Sequence, residues 1–331
     1  MWHFLQCAVQ GRGHRQSNLP CQDKTNCLYA NGIYVAALAD GAGSARLSHK
    51  GAQAVCTHIC HDMTENFAAY FSQKDGALVK QKLLNDIQDC LDRLAERLCC
   101  KREELASTLL IAAVSGEDFI MVHLGDGVIG YLKAGTLRIA SYPDNGEFAN
   151  TTVFTTSPNA LSSVRIFKGK TTLIDGIVLM SDGTEMSLYD KAHRTLSPAL
   201  KRIMQMNVYI QPDKLHALLQ SSFEHLVTQN TIDDCSIVIM SNDRNSFHGF
   251  NLLPVAQQRE ILCVSQHASA VRIQRYCNIL QFLQEKRTLR QTARYLHLKP
   301  KHTARHLQRL LSLNLIERQG AYYVTILILQ N

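Results

Sequence analysis

Short apolar runs that end or begin at aspartate recur along this chain, and they constrain its fold more than any other feature. Run 33–39 closes on Asp40, which is followed by Gly41-Ala42-Gly43. Run 119–125 closes on Asp126 before Gly127, and run 177–181 closes on Asp182 before Gly183. Asp233 and Asp234 instead open the run 235–240. A short apolar run bounded by turn residues reads as a buried strand. Where neighbouring strands run antiparallel, the ends of some and the start of another meet at one rim. Carboxylates gathered there repel one another unless hard cations neutralise them, and Mg²⁺ or Mn²⁺ takes such oxygen ligands. Aspartate before glycine is also an ordinary turn pair. The repeated strand-edge setting, and no single aspartate, points to a metal site.

Six segments carry a resemblance. In chain order they are Gln22-Asp23, Asp40-Gly41-Ala42-Gly43, Ser107-Thr108-Leu109-Leu110, Gly125-Asp126-Gly127, Ser181-Asp182-Gly183 and Asp233-Asp234-Cys235-Ser236. They resemble the first acidic motif, the DGxG motif, the small-residue strand opening, the GD motif, the SDG motif and the DN-x-T/S motif of metal-dependent serine/threonine phosphatases of type 2C. Each segment is weak by itself, whereas six in the family's order over roughly residues 1–245 are specific. Cys21-Gln22-Asp23, with Gly13-His14 upstream, looks most like a bacterial subgroup.

The resemblance implies an α+β fold, a central antiparallel β-sandwich flanked by helices, with a binuclear Mn²⁺ or Mg²⁺ centre at one end. By similarity Asp40 bridges both ions, the Gly41 carbonyl binds one, and Asp182 and Asp233 hold the other. Asp23 orients the metal-activated water, and Asp126 matches a position that helps hold a third ion in some relatives. Asp23, Asp40, Asp182 and Asp233 would then be the catalytic set. Water activated by the ions attacks phosphorus in line, with no covalent phosphoenzyme. The implied partner is a phosphorylated protein.

Four departures qualify the match. Gln22 stands where many relatives carry glutamate, and Ala42 where animal relatives carry a histidine proposed as general acid. Water, His49 or His14 would then protonate the leaving group. Asp234 replaces the usual asparagine and is expected to add negative charge beside Asp233. Asn18 occupies the expected spacing of the phosphate-binding arginine, leaving Arg12, His14 and Arg15 as candidates to bind the dianion. These departures motivate an alternative, a nonenzymatic metal or phosphopeptide sensor coupled to a DNA-binding regulator.

Strands are expected near 4–9, 33–39, 108–115, 118–125, 128–133, 172–181 and 235–241, with helices over 49–71 and 78–102 covering a face of the sandwich. A second feature is charge asymmetry. The chain has 35 basic and 28 acidic side chains, a net +7. Residues 267–331 hold 11 lysines and arginines against Glu285 and Glu317 alone, so the basic character belongs to the C-terminal piece.

There Ile273, Tyr276, Leu280 and Leu283 form one apolar helical stripe. Thr288-Leu289-Arg290-Gln291 is a capping box opening a second helix, and Lys299-Pro300 starts a third with Ala304, Leu307, Leu310 and Leu311 inward. Strand, turn and strand follow. The order resembles a winged helix-turn-helix domain. The expected organisation is therefore a catalytic domain over 1–245, a connector over 246–268 and a winged-helix-like domain over 269–331. Lys301, His302, Arg305 and Arg309 would face double-stranded DNA from the third helix, with Arg318 on the wing. A protein-docking module is the alternative.

The 11 cysteines include no CxxC pair. Cys56, His58, Cys60 and His61 form the densest cluster, and buried thiols explain it better than zinc does. With no signal-like start and no 18-residue apolar span, free thiols in a reducing cytoplasm, away from any membrane, are expected.

Overall fold

The computed structural model describes residues 1–143, 152–243, 250 and 253–328. The chain divides into two compact units. The larger comprises Trp2–Met204 and His216–Asn242; the smaller comprises Met1, Gln205–Leu215 and Asp243–Asn331. Of the expected connector, positions 246–249 and 251–252 lie outside the described residues, as do 329–331 of the expected terminal domain.

The larger unit is α+β, with two five-stranded antiparallel sheets. One has the order β1 (Trp2–Val9), β12 (Cys235–Asn242), β9 (Ile174–Met180), β6 (Val128–Lys133), β7 (Thr136–Ser141). The other has the order β2 (Lys24–Ala30), β3 (Ile33–Ala39), β4 (Leu109–Ser115), β5 (Asp118–Leu124), β8 (Arg165–Lys170). Strand β3 shows why its run is apolar throughout. Ala36 and Leu38 pack with Leu110, Ala112 and Met121 against Ile129, Ile177, Leu179, Val238 and Met240 of the facing sheet. Val35, Ala37 and Ala39 point the other way into a second core. A strand buried on both faces has no polar side to alternate with.

That second core is closed by α2 (Ser48–Ser72) and α3 (Gly76–Leu98). Val55, Ile59, Met63 and Phe67 repeat at helical spacing on the first helix, and Leu83, Ile87 and Leu91 on the second. Helix α3 starts at an Asp75 cap, whose carboxylate accepts the Ala77 N–H at 2.8 Å. It ends earlier than the expected 102 because Cys99 turns left-handed at φ 50°, a conformation that terminates helices. Residues 102–105 then form a separate 3₁₀ turn.

Shorter elements are α1 (Arg12–Gln16), α4 (Ala160–Ser163) and α5 (Asp182–Leu188), with the β10 (Tyr189–Asp190) and β11 (Thr195–Leu196) hairpin after α5. Helices α6 (Pro198–Tyr209) and α7 (Pro212–His225), which the sequence reading left out, each begin at proline in the first turn, where its missing N–H costs nothing.

The smaller unit contains α8 (Val255–Ile261), α9 (Ala270–Phe282), α10 (Leu289–Tyr295) and α11 (Pro300–Ser312). A three-stranded antiparallel sheet joins them, in the order β13 (Arg287–Thr288), β15 (Tyr322–Thr325), β14 (Ile316–Gln319). The capping box forms: the Thr288 N–H donates to Gln291 Oε1 at 2.8 Å and the Gln291 N–H to Thr288 Oγ1 at 3.3 Å. Ile273, Tyr276, Leu280, Leu283, Leu307 and Leu310 are buried. Ala304 and Leu311 are only half-buried, because the inward face of α11 also takes Thr303. The last described residues run beside 209–211: the Gln211 N–H donates to the Ile326 carbonyl at 3.0 Å, and Lys214 pairs with Glu317 at 2.7 Å. Among the described residues no helix is long and apolar enough to cross a membrane.

Candidate metal centre

Antiparallel pairing brings several strand termini to one rim. β3 pairs β4 through Leu38 and Leu110, and β4 pairs β5 through Leu109 and Leu124, so Asp40 and Asp126 follow strands that end side by side with the start of β4. In the facing sheet Met180 pairs both Ile237 and Val128, which places Asp182 just past β9 and Asp233 just before β12. Asp40 is pinned by its backbone: its N–H donates to Thr108 Oγ1 at 2.9 Å and its carbonyl accepts the Thr108 N–H at 2.8 Å. Gly41 bridges Ser107 next to it. Thr152 donates a hydrogen bond to the Asp126 carboxylate.

Carboxylate oxygens of Asp40, Asp126 and Asp182 lie within 4.8 Å of one another. Without cations such crowding favours the protonated forms. Burial, then Asp23, Asp182 and Asp233, holds Asp40 well above the usual carboxylate range. Burial, then Asp126 and Asp233, pushes Asp182 up to about 6. Asp23 is 1% exposed and burial pushes it up to about 7. Asp233 is raised as well, first by burial. Both Asp23 oxygens, Asp182 Oδ1 and Gln22 Oε1 are buried with no hydrogen-bond partner. Buried polar atoms are rarely left so. A set of oxygen donors, several of them unpartnered, fits a hard divalent cation.

The rim is held together by close backbone packing. A Cβ on Gly183 would lie 2.0 Å from the Asp234 carbonyl oxygen, and one on Gly11 2.2 Å from that of Asp233, so only glycine lets these segments touch. The Thr184 hydroxyl donates to the Ser236 carbonyl at 2.9 Å, and the Ser236 N–H to Ser181 Oγ at 3.0 Å.

Asp234 adds negative charge beside Asp233, as expected, and after burial its charge helps raise both Asp233 and Asp23. Its carboxylate, however, is directed at the start of the chain. It accepts the Gly11 N–H at 2.7 Å, the Gln22 N–H at 2.5 Å and a bond with His14 Nδ1 at 2.8 Å. It is a buried tether, held by three partners.

The phosphate-binding candidates separate accordingly. His14 is engaged by Asp234. Arg12 donates to the carbonyls of Gln229 at 3.1 Å and Thr231 at 3.2 Å. Arg15 is exposed on α1. His49 is half-buried, and burial with Lys24 and Lys50 lowers its pKa, which disfavours it as a proton donor. The sequence reading missed Glu185, fully buried and pushed up to about 7 by that burial, with Lys191 Nζ 2.7 Å away. Its spacing of three from Asp182 on one short helix was the available signal.

In the smaller unit Lys301, His302 and Arg305 are exposed on α11. The Arg309 guanidinium donates to the carbonyls of Leu262 at 3.0 Å and Cys263 at 2.7 Å, and Arg318 donates to the Gly320 carbonyl at 2.9 Å. All 11 cysteines are free; Cys56 and Cys60 direct their thiols to the backbone carbonyls of Lys24 and Asn26.

Residues 10–220 match the family model described as Protein phosphatase 2C. Serine/threonine-protein phosphatase 3 of Escherichia coli (strain K12) is 27% identical over 182 residues, 50% of this chain and 67% of that protein. Among solved structures, a serine/threonine phosphatase of S. agalactiae superposes with a TM-score of 0.50 at 16% identity, over 73% of this chain and 99% of its own. A C. elegans sex determining protein gives 0.52 at 15% identity, over 72% of this chain and 64% of its own. At such identities these likenesses speak to the fold.

Proposed function

The chain belongs to the protein phosphatase 2C family, and we propose that it hydrolyses phosphoserine and phosphothreonine in proteins with two Mn²⁺ or Mg²⁺ ions held at the acidic rim. The observation that carries this reading is the convergence of Asp40, Asp126 and Asp182 beside the unpartnered oxygens of Asp23. The family is metal-dependent, and divalent ions at such a site generate a nucleophile from water near neutral pH and polarise phosphoryl oxygens.

Asp40, the Gly41 carbonyl, Asp182 and Asp233 would hold the two ions, with Asp126 available to a third. Asp23, buried and without another partner, would accept a hydrogen bond from the attacking water and so orient it. Asp234 would keep the segment carrying Gln22 and Asp23 against the start of β12. Arg15 is the candidate cation least committed to the protein and would meet the phosphate dianion first; Arg12 and His14 would each have to exchange an existing bond. Catalytic function is assigned to residues 1–245, and the 11 free thiols suit a reducing cytoplasm.

The test is hydrolysis of p-nitrophenyl phosphate and of a phosphothreonine peptide, with Mn²⁺ and after chelation. Turnover in Mn²⁺ that chelation removes is the expected result. Absence of turnover, with Mn²⁺ binding intact by calorimetry, would favour the sensor reading that Gln22 and Asn18 motivate.

For residues 269–331 the proposal is a winged helix-turn-helix that binds double-stranded DNA through Lys301, His302 and Arg305. Support comes from their exposure on α11 and from the excess of basic residues in this piece. Arg309 and Arg318, already bonded to backbone carbonyls, would contribute less. Binding of the full chain to duplex DNA, followed by anisotropy, should weaken steeply with salt. Arg305→Ala should lower the slope of log K against log salt by about 1. No binding at low salt would instead support a protein-docking module.

A further inference from the structure

A groove of about 550 Å³ lies between α5 and the β10–β11 hairpin, lined by Met186, Leu188, Tyr189, Lys191, Leu196 and Pro198. We propose that this groove receives the polypeptide flanking the phosphorylated residue and selects an acidic side chain there through Lys191. The inference rests on the phosphatase reading and adds a substrate preference to it.

Position argues first. Helix α5 begins with Asp182, and Met186 lies one turn further, a rise of about 6 Å. An extended peptide advances about 3.3 Å per residue. With its phosphate at the acidic rim, such a peptide therefore reaches the groove within two or three residues. Met186, 64% exposed, offers an apolar contact at the groove without a partner of its own in the core.

Charge argues second. The Asp190 carboxylate is occupied within the hairpin, accepting the N–H groups of Ala192 at 2.9 Å and His193 at 3.1 Å and pairing with His193 Nδ1 at 2.7 Å. Lys191 has the opposite disposition. Its side chain is 63% exposed, while its partner Glu185 is 1% exposed. The anion of that pair is sealed in the protein and the cation faces the groove. An ammonium has three donors, so the ion pair with Glu185 leaves others for a peptide carboxylate. Glu185, its nearest anion, raises the pKa of the ammonium.

The test uses fluorescein-labelled phosphonate peptides, which cannot be hydrolysed, in Mn²⁺ at low salt. They carry either glutamate or glutamine two and three positions from the phosphonate. The wild-type chain is expected to bind the glutamate peptide about fivefold more tightly, the scale of one partly exposed ion pair. Lys191→Met should abolish that preference and leave affinity for the glutamine peptide unchanged, and Lys191→Arg should keep it. Equal affinity of the wild type for both peptides, no binding of either, or a preference surviving Lys191→Met would overturn the inference. Hydrolysis of p-nitrophenyl phosphate by the wild type reports separately on the phosphatase reading, so the two fail distinguishably.

Discussion

Asp40→Asn is expected to lower metal-dependent hydrolysis by more than roughly 100-fold, since even changes in groups that merely support metal ligands cost 10- to 100-fold. The same substitution should raise the melting temperature of the metal-free protein at pH 8. Asp40 meets Asp23, Asp182 and Asp233 at close quarters, and one fewer carboxylate relieves that repulsion. The sign follows from proton linkage. Asp23 and Asp182, at about 7 and about 6, lie above the unfolded value near 3.9, so the folded chain binds more protons between those limits.

Their stabilising contribution is therefore complete below about pH 4 and lost as pH rises through 6 to 7, on the order of a few kcal/mol. Mn²⁺ should take the place of the protons, adding about 2.7 kcal/mol at a hundred times its dissociation constant. Melting curves at pH 5 and pH 8, with and without Mn²⁺, read all of this. A variant that keeps wild-type turnover, or that melts lower than wild type at pH 8 without metal, would contradict the assignment of Asp40.

Gly183→Ala should damage both stability and metal binding. The new methyl would sit 2.0 Å from the Asp234 carbonyl oxygen and 3.5 Å from Asp233 Cβ. Backbone cannot rotate away as a side chain can, so α5 and the start of β12 must part, at a cost of about 3 kcal/mol or more. Separation also moves Asp182 from Asp233, so Mn²⁺ affinity falls with stability. Gly43→Ala is the control, with open space around its Cβ, and should be nearly neutral. Urea unfolding and Mn²⁺ calorimetry on both variants make the comparison. An unchanged urea midpoint for Gly183→Ala would show that the contact is not tight.

The sequence made the interior strands legible because burial on both faces leaves an unmistakable mark, as in run 33–39. It hid β2, β7 and β8. Their half-buried, mixed residues, such as the Lys-Thr-Asn-Cys of β2, resemble loop as much as strand. Aspartates beside glycines at strand ends were visible as positions, and the resemblance gave them an order. What local pattern could not give is the direction in which a side chain points. Asp233 and Asp234 are adjacent in sequence, yet Asp234 turns its carboxylate to Gly11 and Gln22, more than 200 positions earlier. Glu185 was missed for the same reason, since its partner Lys191 lies in the following hairpin.

Strand β1 pairs along its whole length with β12, so the larger unit opens and closes on the same ladder. On the ribosome, Asp23 and Asp40 emerge roughly 200 positions ahead of Asp233, a delay of about 10–40 s at ordinary translation speeds. A nascent chain therefore has no complete acidic rim while it is being made. The rim is completed in one late step, when β12 inserts between β1 and β9, and a product of synthesis interrupted before residue 235 lacks that strand; on the phosphatase reading it would lack the chemistry as well.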